Sequence, residues 1–407
     1  MTTVITKGPG SRVLGGTKSR PMSVVLPPSL VHPQSGNVHA LVRPALRGTT
    51  PPFAAQDSES KAIRLDLNEA LFQLTPEMKA RIGQVAAEVA LTGYPDGACT
   101  ALRKAAAGFF GVRHVDCMTV GNGADDLIGA LCGAFGQPRL GRSSARVLVP
   151  ELSFEAYRMA AAAYGLQVDS FSFEHNFEPD LVALESAIGR TRPNLVFLAT
   201  PNNPTGTTLD PEALKGVMVR NPDVMFVLDE AYVAYSNQMS LADMVVDFPN
   251  AVCLSSLSKL GLAGLRLGFA SAHPAVIRTL NNARMPFPVN ALSQAVGAML
   301  LDEFAEDLLQ AAADAVKERE HVLQGLTELQ NSSGAFRVLP SQANFHLIVS
   351  DQAAALHAAL ASKGVVVRRF NAPHPHHPLA SILRISVGHA QENQQMLAAF
   401  AASVTHP

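Results

Sequence analysis

The stretch "NLVFLATPNNPTGTTLDPEALKGVMVRNPDVMFVLDEAY" (residues 194–232) holds the fold in miniature. Two short, continuous apolar runs, NLVFLAT (194–200) and VMFVLDEAY (224–232), flank a helical stretch, PEALKGVMVRN (211–221). Continuous apolar runs of strand length suit parallel strands covered on both faces. The same reading applies to RVLVP (146–150) and NAVCLSSLSK (250–259), with PDLVALESAIG (179–189) as a further helix. YPDGACTALRKAAAGFFGV (94–112) reads as a turn followed by a helix. Alternating strands and helices predict an α/β fold with a mostly parallel sheet, whose ligands sit at the carboxyl ends of the strands. After a helical stretch at about 291–330, NFHLIVS (344–350), GVVVRRF (364–370) and ILRISVG (382–388) predict strands of a smaller α+β C-terminal domain.

The whole chain sets limits on partners and compartment. Its 407 residues exceed one ordinary core and predict a large domain plus a smaller one. Charged residues make up 16% and hydrophobic ones 47%, the balance of a packed globular enzyme. A formal net charge of −2 gives no general pull towards nucleic acid or membrane. Cys99, Cys117, Cys132 and Cys253 lack metal-site or C-x-x-C spacing and read as buried free thiols in a reducing, cytoplasmic setting. No apolar run reaches membrane-spanning length, and no signal-peptide core follows the start. Residues 1–56 hold six Lys/Arg, eight Pro and no Asp or Glu. Such acid-poor composition fits a transit peptide, but the prolines oppose the amphipathic helix that such peptides form. A basic, Pro-rich extension or dimer-crossing arm is the preferred reading.

Polar residues gather where the strands end. VGNGADDLIGAL (120–131) offers glycines and then a helix start, a place where free backbone N–H groups hold phosphate. It lacks the third glycine of the dinucleotide fingerprint and the G-K-[ST] of a Walker loop. ATPNNPTG (199–206) is a loop fixed by prolines and glycine, with Asn203 able to donate to a phenolic oxygen. VLDEAY (227–232) ends an apolar strand on Asp229, an expensive place for a carboxylate unless an N–H pairs with it; Tyr232 is three residues on. LSSLSKLGLAGLRLGFA (254–270) sets Lys259 among apolar residues with Arg266 seven positions later. Two like charges there call for an anion between them. Ser256 and Ser258 can donate to a phosphate, Arg266 can neutralise it, and Lys259 can condense with an aldehyde. Pyridoxal 5′-phosphate carries all of these features, and its ring nitrogen would pair with Asp229.

The set G-N-G-A-D-D, N-N-P-T-G, D-E-A-Y and S-x-S-K-x-x-x-x-x-x-R resembles the fold-type I, class I/II aminotransferases. LAGLRLGFA, PFPVNALSQA (286–295), PSQANFHLI (340–348) and LRISVGHAQEN (383–393) look most like the histidinol-phosphate aminotransferase branch. The resemblance runs from about residue 61 to the end. It implies a large cofactor-binding domain at 91–290 and a small domain at 291–407. Residues 61–90 would contribute to the small domain and the substrate cover, and residues 1–60 would be the extension. It further implies that the backbone of Ala124 and Asp125 holds the cofactor phosphate, that Phe154 stacks on the pyridine ring, and that Tyr94 reaches the phosphate of a neighbouring subunit in a homodimer. Arg384 would anchor the acidic end of the substrate, with Arg368 and the nearby Asn344 beside it. Arg369 competes with Arg368 for that role. The reaction implied is transfer of an amino group from histidinol phosphate or a related amino acid to a 2-oxo acid such as 2-oxoglutarate.

Three departures fall on the substrate side. The family's NENPFGPSP segment reads NEALFQLTP (68–76), LSFEAY adds Glu155 near the ring, and RFNAPHPHHPLASIL (369–383) is long and rich in histidine. His374, His376 and His377 lack a matched carboxylate and have prolines between them, so they read as a solvated loop or substrate rim rather than a metal site. Two other functions stay open at this level. One is decarboxylation or oxidase chemistry in the same pocket, which needs only a rotated substrate. The other is a binding module that keeps the fold without turnover.

Overall fold

The structure, a computed structural model, describes residues 41–47, 62–174, 177–372 and 374–404. The chain divides into two units, Met1–Val42 and Arg43–Pro407, and both sheets lie in the second. The reading of residues 1–60 as an extension lies outside the described residues except at 41–47.

Twelve strands form two sheets among the described residues. β1 (Ile63–Leu65) belongs to the smaller sheet; β2 (Met118–Asn122), β3 (Arg146–Pro150), β4 (Gln167–Phe171), β5 (Leu195–Ala199), β6 (Met225–Asp229), β7 (Ala251–Ser256) and β8 (Leu267–Ala272) make the larger one. Its order is β2-β8-β7-β6-β5-β3-β4, parallel from β7 to β4, with β8 antiparallel to both its neighbours. The apolar runs explain why the centre is parallel. On β6, Phe226 and Leu228 enter one core while Met225 and Val227 enter the other, and β5 divides Val196 and Leu198 from Leu195 and Phe197 in the same way. Each large apolar side chain so enclosed contributes about 1.5–3 kcal/mol. Helices including Ala124–Phe135, Leu181–Thr191 and Pro211–Arg220 cover the faces.

The smaller sheet adds β9 (Arg337–Leu339), β10 (Phe345–Val349), β11 (Val365–Arg369) and β12 (Ile382–Ser386) in the order β1-β11-β12-β10-β9. Only β1–β11 is parallel. The helical stretch expected at about 291–330 is two helices, Ala291–Glu303 and Ala305–Ser333, parted at Phe304 where ψ turns to 25°. Leu152, on the loop after β3, packs with Leu339, Leu347 and Ile382 of the smaller sheet. That contact joins the two sheets beside the carboxyl ends of the larger one.

Gly268 shows how closely β8 meets the start of the helix Ala124–Phe135. A Cβ there would lie 2.3 Å from the Ala124 nitrogen and 2.4 Å from the Gly123 carbonyl carbon. Neither atom can yield without moving the backbone, and such overpacking costs about 1–3 kcal/mol. Gly268→Ala is therefore expected to lower the thermal midpoint, whereas Gly189→Ala, with nothing within 4 Å of the new carbon, should hold or raise it. Melting the two variants side by side checks this; equal midpoints would refute the close approach.

Candidate functional site

The polar residues singled out in the sequence collect at the carboxyl ends of β5, β6 and β7. Asp229 closes β6 and is 5% exposed. Its Oδ1 accepts from the Ala231 amide at 3.0 Å and its Oδ2 from the Tyr157 hydroxyl at 2.6 Å. Burial pushes the carboxyl up, against the pull of those two donors and of the Lys259 charge. The loop 200–207 after β5 is held rigidly. Asn202 donates to the Leu152 carbonyl and the Thr205 hydroxyl, and the Gln342 amide donates to the Gly206 carbonyl at 2.7 Å. This fixes Asn203, whose Oδ1 accepts from Arg384 Nη1 at 2.7 Å.

Lys259 lies on a single 3₁₀ turn, Ser258–Leu260, just beyond β7. Its Nζ donates to the Leu67 carbonyl at 3.1 Å and stands 5.8 Å from the centre of the Tyr232 ring. Its own carbonyl accepts from the Tyr235 hydroxyl. Ser256 and Ser258 share a hydroxyl–hydroxyl bond of 2.8 Å beside it. Gly123, at φ 86°, leads into the helix at Ala124, which no side chain caps. Arg266, itself at φ 53°, lies over that helix start and pairs with Asp125 at 3.0 Å. A Cβ on Gly123 would fall 2.7 Å from Arg266 Nη2 and would be strained at that positive φ, so glycine suits the position.

On the smaller sheet, Arg384 sits in the middle of β12 and is 6% exposed. Besides Asn203 it donates from Nη2 to the Asp66 carbonyl at 2.6 Å, while its Nε meets no partner. Burial brings its pKa down to about 10. Arg368 is its direct neighbour across β11 and β12, and the Phe370 ring lies 5.8 Å from one guanidinium and 5.9 Å from the other. Asn344 donates to the carbonyls of Asn68 and Glu69 at 3.3 and 3.4 Å. Carbonyls 66–69 of the chain thus all accept from Arg384, Lys259 or Asn344, so this segment crosses the cluster.

Lys259, Tyr232, Asn203, Arg384 and Asn344 therefore share one site, with Asp229 at its floor. Phe154 is half-exposed and meets Tyr157 edge-to-face at 5.7 Å. Tyr94 stands elsewhere: it is 85% exposed and stacks on Phe287 at 4.6 Å. His377 Nε2 lies 3.4 Å from Glu151, with His374 edge-on to its ring, and no three His, Cys, Asp or Glu residues are grouped as metal ligands among the described residues. A cavity of about 430 Å³ between 97–103 and 284–288 is lined by none of the residues assigned to cofactor or substrate.

Two site residues escaped sequence reading. Asn68 donates to the Tyr232 hydroxyl at 2.9 Å and accepts from the Ser386 hydroxyl at 2.8 Å. Tyr157 is the donor on Asp229; its position three residues after Phe154, in the same LSFEAY stretch, was the available signal.

The family model "Aminotransferase class I and II" matches residues 60–400. The histidinol-phosphate aminotransferase of Chromobacterium violaceum is 33% identical over 362 residues, covering 89% of this chain and 97% of that one. Histidinol-phosphate aminotransferase 2 of Bordetella bronchiseptica is 35% identical over 341 residues, covering 83% and 89%. Among solved structures, the histidinol-phosphate aminotransferase of Sinorhizobium meliloti in complex with pyridoxal-5′-phosphate superposes with a TM-score of 0.74 at 24% identity, over 84% of this chain and 91% of that one.

Proposed function

Since the chain belongs to the class I and II aminotransferases, on the histidinol-phosphate branch, and is a pyridoxal-5′-phosphate-dependent enzyme of fold type I, we propose that it moves an amino group from histidinol phosphate to a 2-oxo acid, with 2-oxoglutarate the expected acceptor. The observation that carries this reading is the meeting of Lys259, Tyr232, Asn203 and Arg384 above the buried Asp229 carboxylate.

The donor set suits the cofactor group by group. The Ala124 and Asp125 amides, Ser256, Ser258 and Arg266 would hold the phosphate at an uncapped helix start. Asp229 keeps lone pairs for the ring N–H. Tyr232 reaches the phenolic oxygen together with Asn203, whose Oδ1 is taken by Arg384 and whose NH₂ is left to donate. Phe154 would cover a ring face. Bound there, pyridoxal 5′-phosphate would supply an aldehyde for the donor amine and a ring that draws electrons from the donor's Cα.

The chain's own residues do the rest. Lys259 would hold the cofactor through its amine and, once that amine is free, would serve as the acid–base group that moves the proton at the donor's Cα. Arg384 would fix the acidic end of the substrate and so orient the Cα–H bond that is broken. Arg368, exposed and opposite Arg384, suits the phosphate of the donor. Tyr94 of the partner subunit completes the phosphate site in a homodimer. Tyr94, Leu91 and Met285 are all exposed here, which supports an interface on that side. The four buried free thiols fit a cytoplasmic protein. No described helix is long and apolar enough to cross a membrane.

Mixing the protein with 2-oxoglutarate and a panel of amines tests this directly: glutamate should form fastest from histidinol phosphate. Arg368→Ala should lower kcat/KM for that donor about 10- to 100-fold, as for a lost charge-assisted hydrogen bond, and change an unphosphorylated donor far less. An equal loss for both donors would remove Arg368 from phosphate binding. Carbon dioxide or peroxide in place of glutamate would overturn transamination.

A further inference from the structure

Tyr157 buries a hydroxyl where a phenylalanine would pack as well. Its ring is fully buried, stacks on Phe197 at 4.9 Å and 12°, and meets Phe154 edge-to-face. With the ring so held the hydroxyl has one direction to point, and it donates to Asp229 Oδ2 at 2.6 Å, the length of a charge-assisted bond. A buried hydroxyl without a partner is costly, so at a plain core position phenylalanine would be the cheaper residue. We propose that Tyr157 is a positioning residue for amino transfer, its hydroxyl locking the Asp229 carboxylate in the one orientation that serves the cofactor's ring nitrogen. This rests on the reading of Asp229 as the partner of that nitrogen.

The lone pairs of the carboxylate support it. An ionised carboxylate offers about four lone-pair directions. The Ala231 amide takes one on Oδ1 and Tyr157 one on Oδ2, which stops rotation about the Cβ–Cγ bond and leaves the remaining directions for one further donor. The donors also favour the charged form. Burial favours the neutral acid, and both bonds oppose that. Burial pushes the Tyr157 hydroxyl well up, so it stays a donor at any working pH. Phe154 and Tyr157, three residues apart at the start of one helix and joined by the Tyr157 amide on the Phe154 carbonyl, would thereby act on the same ring, one over its face and one through the carboxylate.

The test is a cycle of variants in the full chain, read by cofactor binding rather than by turnover. Apo-protein is titrated with pyridoxal 5′-phosphate, and the pH midpoint of the bound cofactor's absorbance is recorded. Tyr157→Phe keeps the stack on Phe197 and should weaken cofactor binding about 10- to 100-fold, with a shifted midpoint. In an Asp229→Asn background the same change should have little further effect, because the hydroxyl acts through the carboxylate. Tyr157→His, an N–H donor on a ring that still stacks, should recover part of the loss. Wild-type affinity and midpoint in Tyr157→Phe, or an equal loss in both backgrounds, would overturn the proposal. Asp229→Asn alone binding like wild type would instead sink the underlying reading of Asp229.

Discussion

Replacing Lys259 with alanine is expected to leave a folded protein whose kcat is at least about 10⁴-fold lower. A positioned acid–base group alone accounts for about 10²–10⁴-fold, and in the proposed function the same side chain is also the covalent hold on the cofactor. The structure gives little reason for a folding defect. The amine makes one hydrogen bond, to the Leu67 carbonyl, and the turn is fixed through the lysine's backbone by Tyr235. Single-turnover assays with histidinol phosphate check the rate, and small amines added to the variant should restore part of it. A Lys259→Ala protein that behaves as wild type would favour a scaffold that keeps the fold without turnover.

Asp229→Asn should separate activity from stability. An asparagine can still face the ring nitrogen but carries no charge to keep it protonated, so kcat should fall about 10²–10³-fold, the scale of a lost electrostatic partner in a water-excluded site. Stability should move the other way. Burial raises the folded carboxyl above its unfolded value, so the wild type loses stability relative to the variant as pH climbs from about 4, until the buried group has ionised. Above that window the variant's melting temperature should equal or exceed that of the wild type. Measuring kcat and melting at several pH values on the same preparations decides it. Full activity in Asp229→Asn would refute the ring-nitrogen assignment.

What the sequence disclosed reflects how each element is stabilised. β3, β5, β6 and β7 are continuous apolar runs because helices cover both faces, and the predicted ranges lie within a few residues of the strands. β4 (QVDSF) is polar at three of its five positions and lies at the sheet edge, so its composition resembles a loop. β8 (LGFASA) carries a glycine in its interior because Gly268 must approach another backbone, a tertiary demand that no local pattern announces. β1 and β9, three residues each, are too short to show a period.

The site divides along the same line. Lys259, Asp229 and Asn203 were legible because charged or amide groups at or just beyond the ends of apolar strands need a reason to be there; Arg384, in the middle of β12, was legible only through the family resemblance. Tyr157 was hidden because an aromatic residue on an apolar helix face reads as core. Asn68 was hidden because its partner Tyr232 is 164 residues away, and only the crossing of the 66–69 segment brings them together.

The most decisive measurement is borohydride reduction of the purified protein with added pyridoxal 5′-phosphate, followed by peptide mass mapping. One reduced phosphopyridoxyl group per chain, on the peptide that carries Lys259, is the expected result. A map with no such group, or with it on another lysine, would rule out a cofactor tethered at Lys259.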